Sequence, residues 1–174
     1  MNTNPTKPNT IEIFSVIIIH HQERYLLLQR AMTKRFAPGL WTGMGGRVEE
    51  GEMADIRASA LRELQEESGI ELEQLDNFLL RRTLMHNRPN APLTTLVYFT
   101  GRLRSLVQPN CPEGTLHWVT AEESQNVDLI DNMSLILPKL INDITQDPEG
   151  TSPVHLGLAH YQPDGSLKQV LWTE

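Results

Sequence analysis

The sequence holds 174 residues, with 15 Lys and Arg against 22 Asp and Glu, a formal net charge of −7 at pH 7. That acidity argues against a nucleic-acid polymer as partner, because such proteins carry basic patches, but it allows a small anionic substrate where bound cations invert the local field. An apolar fraction of 39% describes an ordinary globular chain, and the single cysteine, Cys111, excludes an internal disulfide framework and suits a reducing cytoplasm.

Residues 1–9 read as a flexible, polar tail that does not resemble a secretory signal, and residues 10–174 as a single domain. No stretch reaches the roughly 20 apolar residues that span a bilayer, so no membrane partner is expected. Ile11 to His20 is β-branched and apolar and predicts a buried strand; the turn His21-Gln22-Glu23-Arg24 leads back into a second strand, Tyr25 to Arg30. His20 and His21 are adjacent on a strand and face opposite sides, which makes them a poor pair for one metal ion. Ala31 to Leu40 is a loop whose Lys34 and Arg35 are placed to meet phosphate oxygens or solvent, and Trp41-Thr42-Gly43-Met44-Gly45-Gly46 follows it. That run is no dinucleotide fingerprint, and without a following Gly-Lys-Ser/Thr it is no P-loop.

Gly46 to Ile70 is the stretch around which the rest is organised. It begins as a glycine-rich loop and becomes a helical segment, with Ile56, Ala60, Leu61 and Leu64 near helical spacing and Gly69 as a natural C-cap. Glu63, Glu66 and Glu67 stand at i, i+3 and i+4 and so share one face. Three crowded carboxylates repel one another, whereas hard oxygen ligands at this density are what Mg²⁺ or Mn²⁺ requires when substrate phosphates complete its shell. Arg62 adjoins them and can hold a carboxylate through two parallel hydrogen bonds.

Beyond the helix, Asn77 to His86 and Leu93 to Leu103 predict strands around a proline-bearing link. Val107 to Glu113 is a loop, Thr115 to Val119 a short strand, Ala121 to Gln125 a helical turn, and Met133 to Ile144 a helix whose apolar stripe belongs to the core. Pro148-Glu149-Gly150 ends that helix, and Val154 to Gln162 and Leu167 to Trp172 form a hairpin around Pro163-Asp164-Gly165-Ser166. Strands separated by helices, with antiparallel hairpins at both ends, predict an α+β fold, an α/β/α sandwich with a mixed β-sheet between helices.

The order Gly46, Glu52 and Arg62-Glu63-Leu64-Gln65-Glu66-Glu67-Ser68-Gly69-Ile70 resembles the Nudix box of hydrolases acting on nucleoside diphosphates linked to another group. Its second half fits at every defined position; the join departs from the pattern, with a two-residue insertion around Met53 to Ile56 that bears on the geometry of Glu52. Within the family, Gly39 to Arg47 and the closing hairpin resemble the MutT-type enzymes that hydrolyse 8-oxo-dGTP and related oxidised purine nucleotides. A Nudix fold follows from the resemblance, as does a Mg²⁺-dependent (or Mn²⁺-dependent) pyrophosphohydrolase that gives a monophosphate and pyrophosphate.

The resemblance also implies the site. Metal ligands would be the Gly46 carbonyl, Glu63, Glu66 and Glu67, with Glu113 as a distal glutamate brought over the metals. Catalysis would fall to the same glutamates, with Arg62 orienting them. Candidate substrate-binding residues are Arg30, Phe36, Thr42 and Gly45, with Asp131 and Asn132 against the base or, in the plainer reading, capping the helix they precede. Thr42 stands where those enzymes use an asparagine, and a hydroxyl cannot grip a purine edge as an amide does. Alternatives are hydrolysis of ADP-ribose, nucleotide sugars or another diphosphate-linked substrate, and a non-catalytic nucleotide-binding module. Isopentenyl diphosphate isomerase chemistry is disfavoured, because Cys111 sits in a proline-bounded loop away from the glycines. Homodimerisation is left open.

Overall fold

A computed structural model describes residues 11–88 and 91–173, so the expected tail over residues 1–9 lies outside the described residues. Eight strands, β1 (Ile11–His21), β2 (Arg24–Arg30), β3 (Trp41–Thr42), β4 (Leu75–His86), β5 (Leu93–Leu103), β6 (Gly114–Val119), β7 (His155–Tyr161) and β8 (Leu167–Trp172), and two α-helices, α1 (Ile56–Ser68) and α2 (Asp131–Gln146), are formed among the described residues. The strands form one mixed sheet in the order β3-β2-β1-β5-β4-β7-β8, with β6 also on β2. β1 with β5 and β4 with β7 run parallel; the remaining pairs are antiparallel.

The two-residue period of the strands splits the core in two. Ile17, Ile19, Leu26, Val97 and Phe99 pack with Ala60 and Leu64 of α1. Their neighbours Ile18, Tyr25, Leu27 and Tyr98 pack with Met133, Ile136, Leu137 and Leu140 of α2. The helices therefore cover opposite faces, the expected α/β/α sandwich. α2 runs two residues beyond each end of its predicted range, and Pro138 lies within it. Two-residue β3 was not expected; it is too short to show an alternation.

A feature without a strand's length positions the site. β2 pairs only with the end of β1, Ile19 to His21. The free edge of β1 before that is taken by the glycine run: Ile17 and Met44 exchange backbone hydrogen bonds (2.7 and 3.1 Å), Ser15 N–H donates to Gly46 O (2.9 Å) and Val48 N–H to Ile13 O (2.9 Å). Gly45 has φ +127°, and a Cβ there would collide with the Ser15 carbonyl. Among the described residues no helix is long and apolar enough to cross a membrane.

Candidate active site

The insertion between Glu52 and Arg62 is absorbed locally. Glu50–Glu52 forms a 3₁₀ turn, the chain turns again, and Asp55 accepts from Ala58 N–H (3.0 Å) as the N-cap of α1. Glu52 is thereby returned to the helix, where Arg62 grips it with Nε on Oε1 at 2.7 Å and an Nη on Oε2 at 3.0 Å. This pairing, with Glu49 N–H and the Ser59 hydroxyl as further donors, holds the Glu52 carboxyl down at about 2. The other Arg62 Nη donates to Glu63 Oε1 (2.9 Å) and Glu66 Oε2 (3.0 Å). Arg62 thus donates to three carboxylates at once.

Glu67 sits differently. It is 7% exposed, accepts Gly45 N–H at 2.6 Å, and faces the charges of Glu63 and Glu113. Burial, followed by those two neighbouring charges, pushes its carboxyl up to about 7 against the opposing Gly45 bond and Arg30 charge. Burial also raises Glu63. Glu63 lies against Gly46 so closely that a Cβ there would stand 2.5 Å from its Oε1, so a side chain at this position would displace the carboxylate. Glu113 bonds Ala31 through its carbonyl (3.0 Å) and pairs with Lys34 through its side chain, which ties the 31–40 loop to the acidic cluster.

Among the described residues no three His, Cys, Asp or Glu side chains are grouped for a metal as they stand. Glu63 and Glu66 are engaged by Arg62, and Glu67 by Gly45, so convergence on one ion takes side-chain rotation. The donor set nonetheless fits a hard divalent cation: carboxylate oxygens on one helical face, a glycine-lined approach, and carboxyls taken out of water by burial, where a cation would compensate their charge.

The glycine run also lines a cavity of about 600 Å³. Arg30, Phe36, Thr42, Gly45, Gly46 and Asn132 line it, so five of the six expected substrate-binding residues are brought together, along with one expected metal ligand. Arg30 donates from Nε to the Phe36 carbonyl (2.9 Å), and its guanidinium stacks 5.7 Å from the Phe36 ring, which is 62% exposed at the rim. Asn132 donates to the hydroxyl of buried Tyr98 (3.0 Å).

Asp131 lies apart from the other five. It is exposed at the first turn of α2 and does not line the cavity, because one residue of helix rotates it about 100° away from Asn132. Neither residue caps the helix; the N-cap is Ile130, held by its N–H to Trp41 O (3.0 Å). The cavity also includes Glu12, Phe14, His86 and Arg88, which the sequence did not single out. Their contribution depends on β1, β4 and the residues after β4 meeting in space, and no local spacing announces it.

The family model described as NUDIX domain matches residues 10–140. A mouse oxidized purine nucleoside triphosphate hydrolase is 40% identical over 68 residues, which is 38% of this chain and 40% of that protein; the match thus spans well under half of that relative's length. The structure of a MutT protein from Bacillus halodurans superposes with a TM-score of 0.64 at 22% identity, over 92% of this chain and 97% of the other. That of the E. coli dihydroneopterin triphosphate pyrophosphohydrolase gives 0.62 at 25% identity, over 75% and 95%.

Proposed function

The chain belongs to the NUDIX domain family, and we propose that it is a divalent-metal-dependent pyrophosphohydrolase of nucleoside triphosphates, with oxidised purine nucleotides such as 8-oxo-dGTP as its substrates. The observation that carries the reading is the placement of Glu63 and Glu67 against Gly45 and Gly46, which also line a nucleotide-sized cavity. The mouse relative's substrate class supports the choice of purine.

Glu63, Glu66, Glu67 and the Gly46 carbonyl would hold Mg²⁺ or Mn²⁺, with Glu113 nearby. When bound, such an ion neutralises phosphate charge and makes hydroxide available from water near neutral pH. The rest is the work of the side chains. Arg62 keeps Glu52, Glu63 and Glu66 in register through its fork. Glu67, buried and held in place by Gly45 N–H, would take the proton of the attacking water on its carboxylate. Arg30 lines the cavity and its charge reaches Glu67, so it bridges from base site to phosphates. Phe36 offers an exposed ring for stacking at the rim, and Thr42 and Asn132 offer polar contacts inside.

The test is release of pyrophosphate and phosphate with Mg²⁺ across 8-oxo-dGTP, 2-oxo-dATP, the normal dNTPs, ADP-ribose and nucleotide sugars. Pyrophosphate released preferentially from an oxidised purine supports the reading. Monophosphates formed from ADP-ribose or a sugar nucleotide replace the substrate class and keep the chemistry. Silence across the panel by folded protein favours a binding module.

A further inference from the structure

Glu113 lies in the turn before β6, and its backbone is fixed there. Gly114 beside it is pressed onto β2, where a Cβ would collide with the Gln29 carbonyl, and the Glu113 carbonyl accepts Ala31 N–H (3.0 Å). Lys34 N–H donates to Ala31 O (3.0 Å), which brings the Lys34 side chain back to Glu113, and the ammonium and carboxylate form an ion pair. Both side chains keep about a third of their surface in water, 30% and 35%. Among the described residues Lys34 pairs with no other acid, and its neighbour Arg35 pairs with none. Glu113 also faces the acids of α1, since its charge is felt at Glu67.

We propose that Lys34 is a positioning residue for Glu113, holding its carboxylate aside in the metal-free protein and yielding it when a divalent cation binds among the helix glutamates. The inference rests on the metal-dependent reading given above and deepens it. An ammonium is a compact, strongly hydrated charge on a flexible stem, so it neutralises a carboxylate without gripping it and returns to water when displaced. The Arg62 fork on Glu52 has no such freedom. A divalent ion takes carboxylate oxygens directly and repels an ammonium standing beside it, so the two cations compete for Glu113. An exposed pair shifts such an equilibrium by up to about fivefold.

The experiment is Mn²⁺ binding to the metal-free protein, followed by the electron paramagnetic resonance signal of the free ion. Wild type is compared with Lys34→Met, Lys34→Arg, Arg35→Met, Glu113→Gln and the double variant Lys34→Met/Glu113→Gln, each checked for folding by circular dichroism. Lys34→Met removes the competing ammonium, and Mn²⁺ binds about two- to fivefold more tightly. Lys34→Arg keeps the affinity near the wild-type value. In the Glu113→Gln background Lys34→Met changes nothing, because the contested carboxylate is gone. Arg35→Met, an equal loss of charge one residue away, leaves the affinity near wild type. If Lys34→Met does not fold, Lys34→Gln takes its place.

A gain that persists in the Glu113→Gln background, or an equal gain in Arg35→Met, makes Lys34 one positive charge among others and overturns the assignment. Unchanged or weaker binding in Lys34→Met overturns it too, weaker binding meaning that Lys34 presents Glu113 to the ion. Wild-type protein that binds no Mn²⁺ overturns the metal-dependent reading and this inference with it. Mn²⁺ bound without the Lys34 effect overturns this inference alone.

Discussion

In the proposed reaction, Glu67 is the side chain that takes the proton. Glu67→Gln keeps its shape and one acceptor for Gly45 N–H but removes the proton acceptor. Turnover is expected to fall by about 100-fold or more, with the circular-dichroism spectrum unchanged; full activity in this variant would refute the role. The residue also leaves a signature in stability. Its folded-state pKa of about 7 lies above its ordinary 4.5, so the folded state holds the extra proton and is favoured by low pH. That contribution is complete below about pH 4.5 and is lost as pH rises through 7.

His20 and His86 act in the opposite sense, each pulled down to about 4 by burial, so their contribution is present above 6.5 and lost as pH falls through 4. The wild-type curve is a sum of both. The difference between wild type and Glu67→Gln in metal-free urea melts isolates the carboxyl, and it should change by on the order of 3 kcal/mol between pH 4.5 and 8. A flat difference would mean Glu67 is not desolvated as described. At this scale the three helix glutamates were legible because their spacing is a property of one helix, whereas His86 and the turned-away Asp131 depended on how distant segments pack.

At the scale of the element, α1 is defined by its ends. Asp55 caps its first turn, and Gly69, at φ 68°, closes it by donating to Gln65 O (2.8 Å). The insertion before Asp55 thus ends in a fresh cap, which keeps Arg62 over Glu52. Asp55→Ala is expected to cost about 1 kcal/mol, seen as a lower midpoint in urea, with nucleotide hydrolysis retained; a collapse of activity without loss of stability would show that the cap instead sets the Glu52 fork.

Most strands and both helices could be read from alternation and apolar stripes, because burial on one face imposes those periods. β3 could not, nor could the Met44 to Val48 run along β1. Glycine carries no hydrophobic pattern, and that pairing is made by backbone alone.

Across the whole molecule, the net charge of −7 and the buried acids make the metal-free protein the less comfortable form. An ion held by these carboxylates stabilises only the folded state. At about 100 times its dissociation constant it contributes about 2.7 kcal/mol, a rise of very roughly 5–10 °C in unfolding temperature for a domain of this size. Mg²⁺ or Mn²⁺ should produce that rise in wild type and lose most of it in Glu63→Gln and Glu67→Gln, and equal rises in all three would move the ion elsewhere. The overall sandwich was legible because β-strand alternation dictates two faces, and the cavity was legible only in part, through Arg30, Phe36, Thr42, Gly45 and Asn132.

The glycine run along β1 meets Glu63 and Glu67 of α1 and also lines the cavity, whose other walls come from β1, β4, β5 and α2, so in the proposed enzyme two inheritable traits share one wall but few side chains. Under that proposal, substitution at Thr42 or Asn132 can alter diet while the acids on α1 stay fixed, and the reverse holds for changes on α1. A lineage built on such a partition can diversify its substrates by small steps, each leaving a working catalyst. Gly45 and Gly46 are the exception: a side chain at Gly45 would meet the Ser15 carbonyl of β1 and one at Gly46 would displace the Glu63 carboxylate, and both glycines also line the cavity.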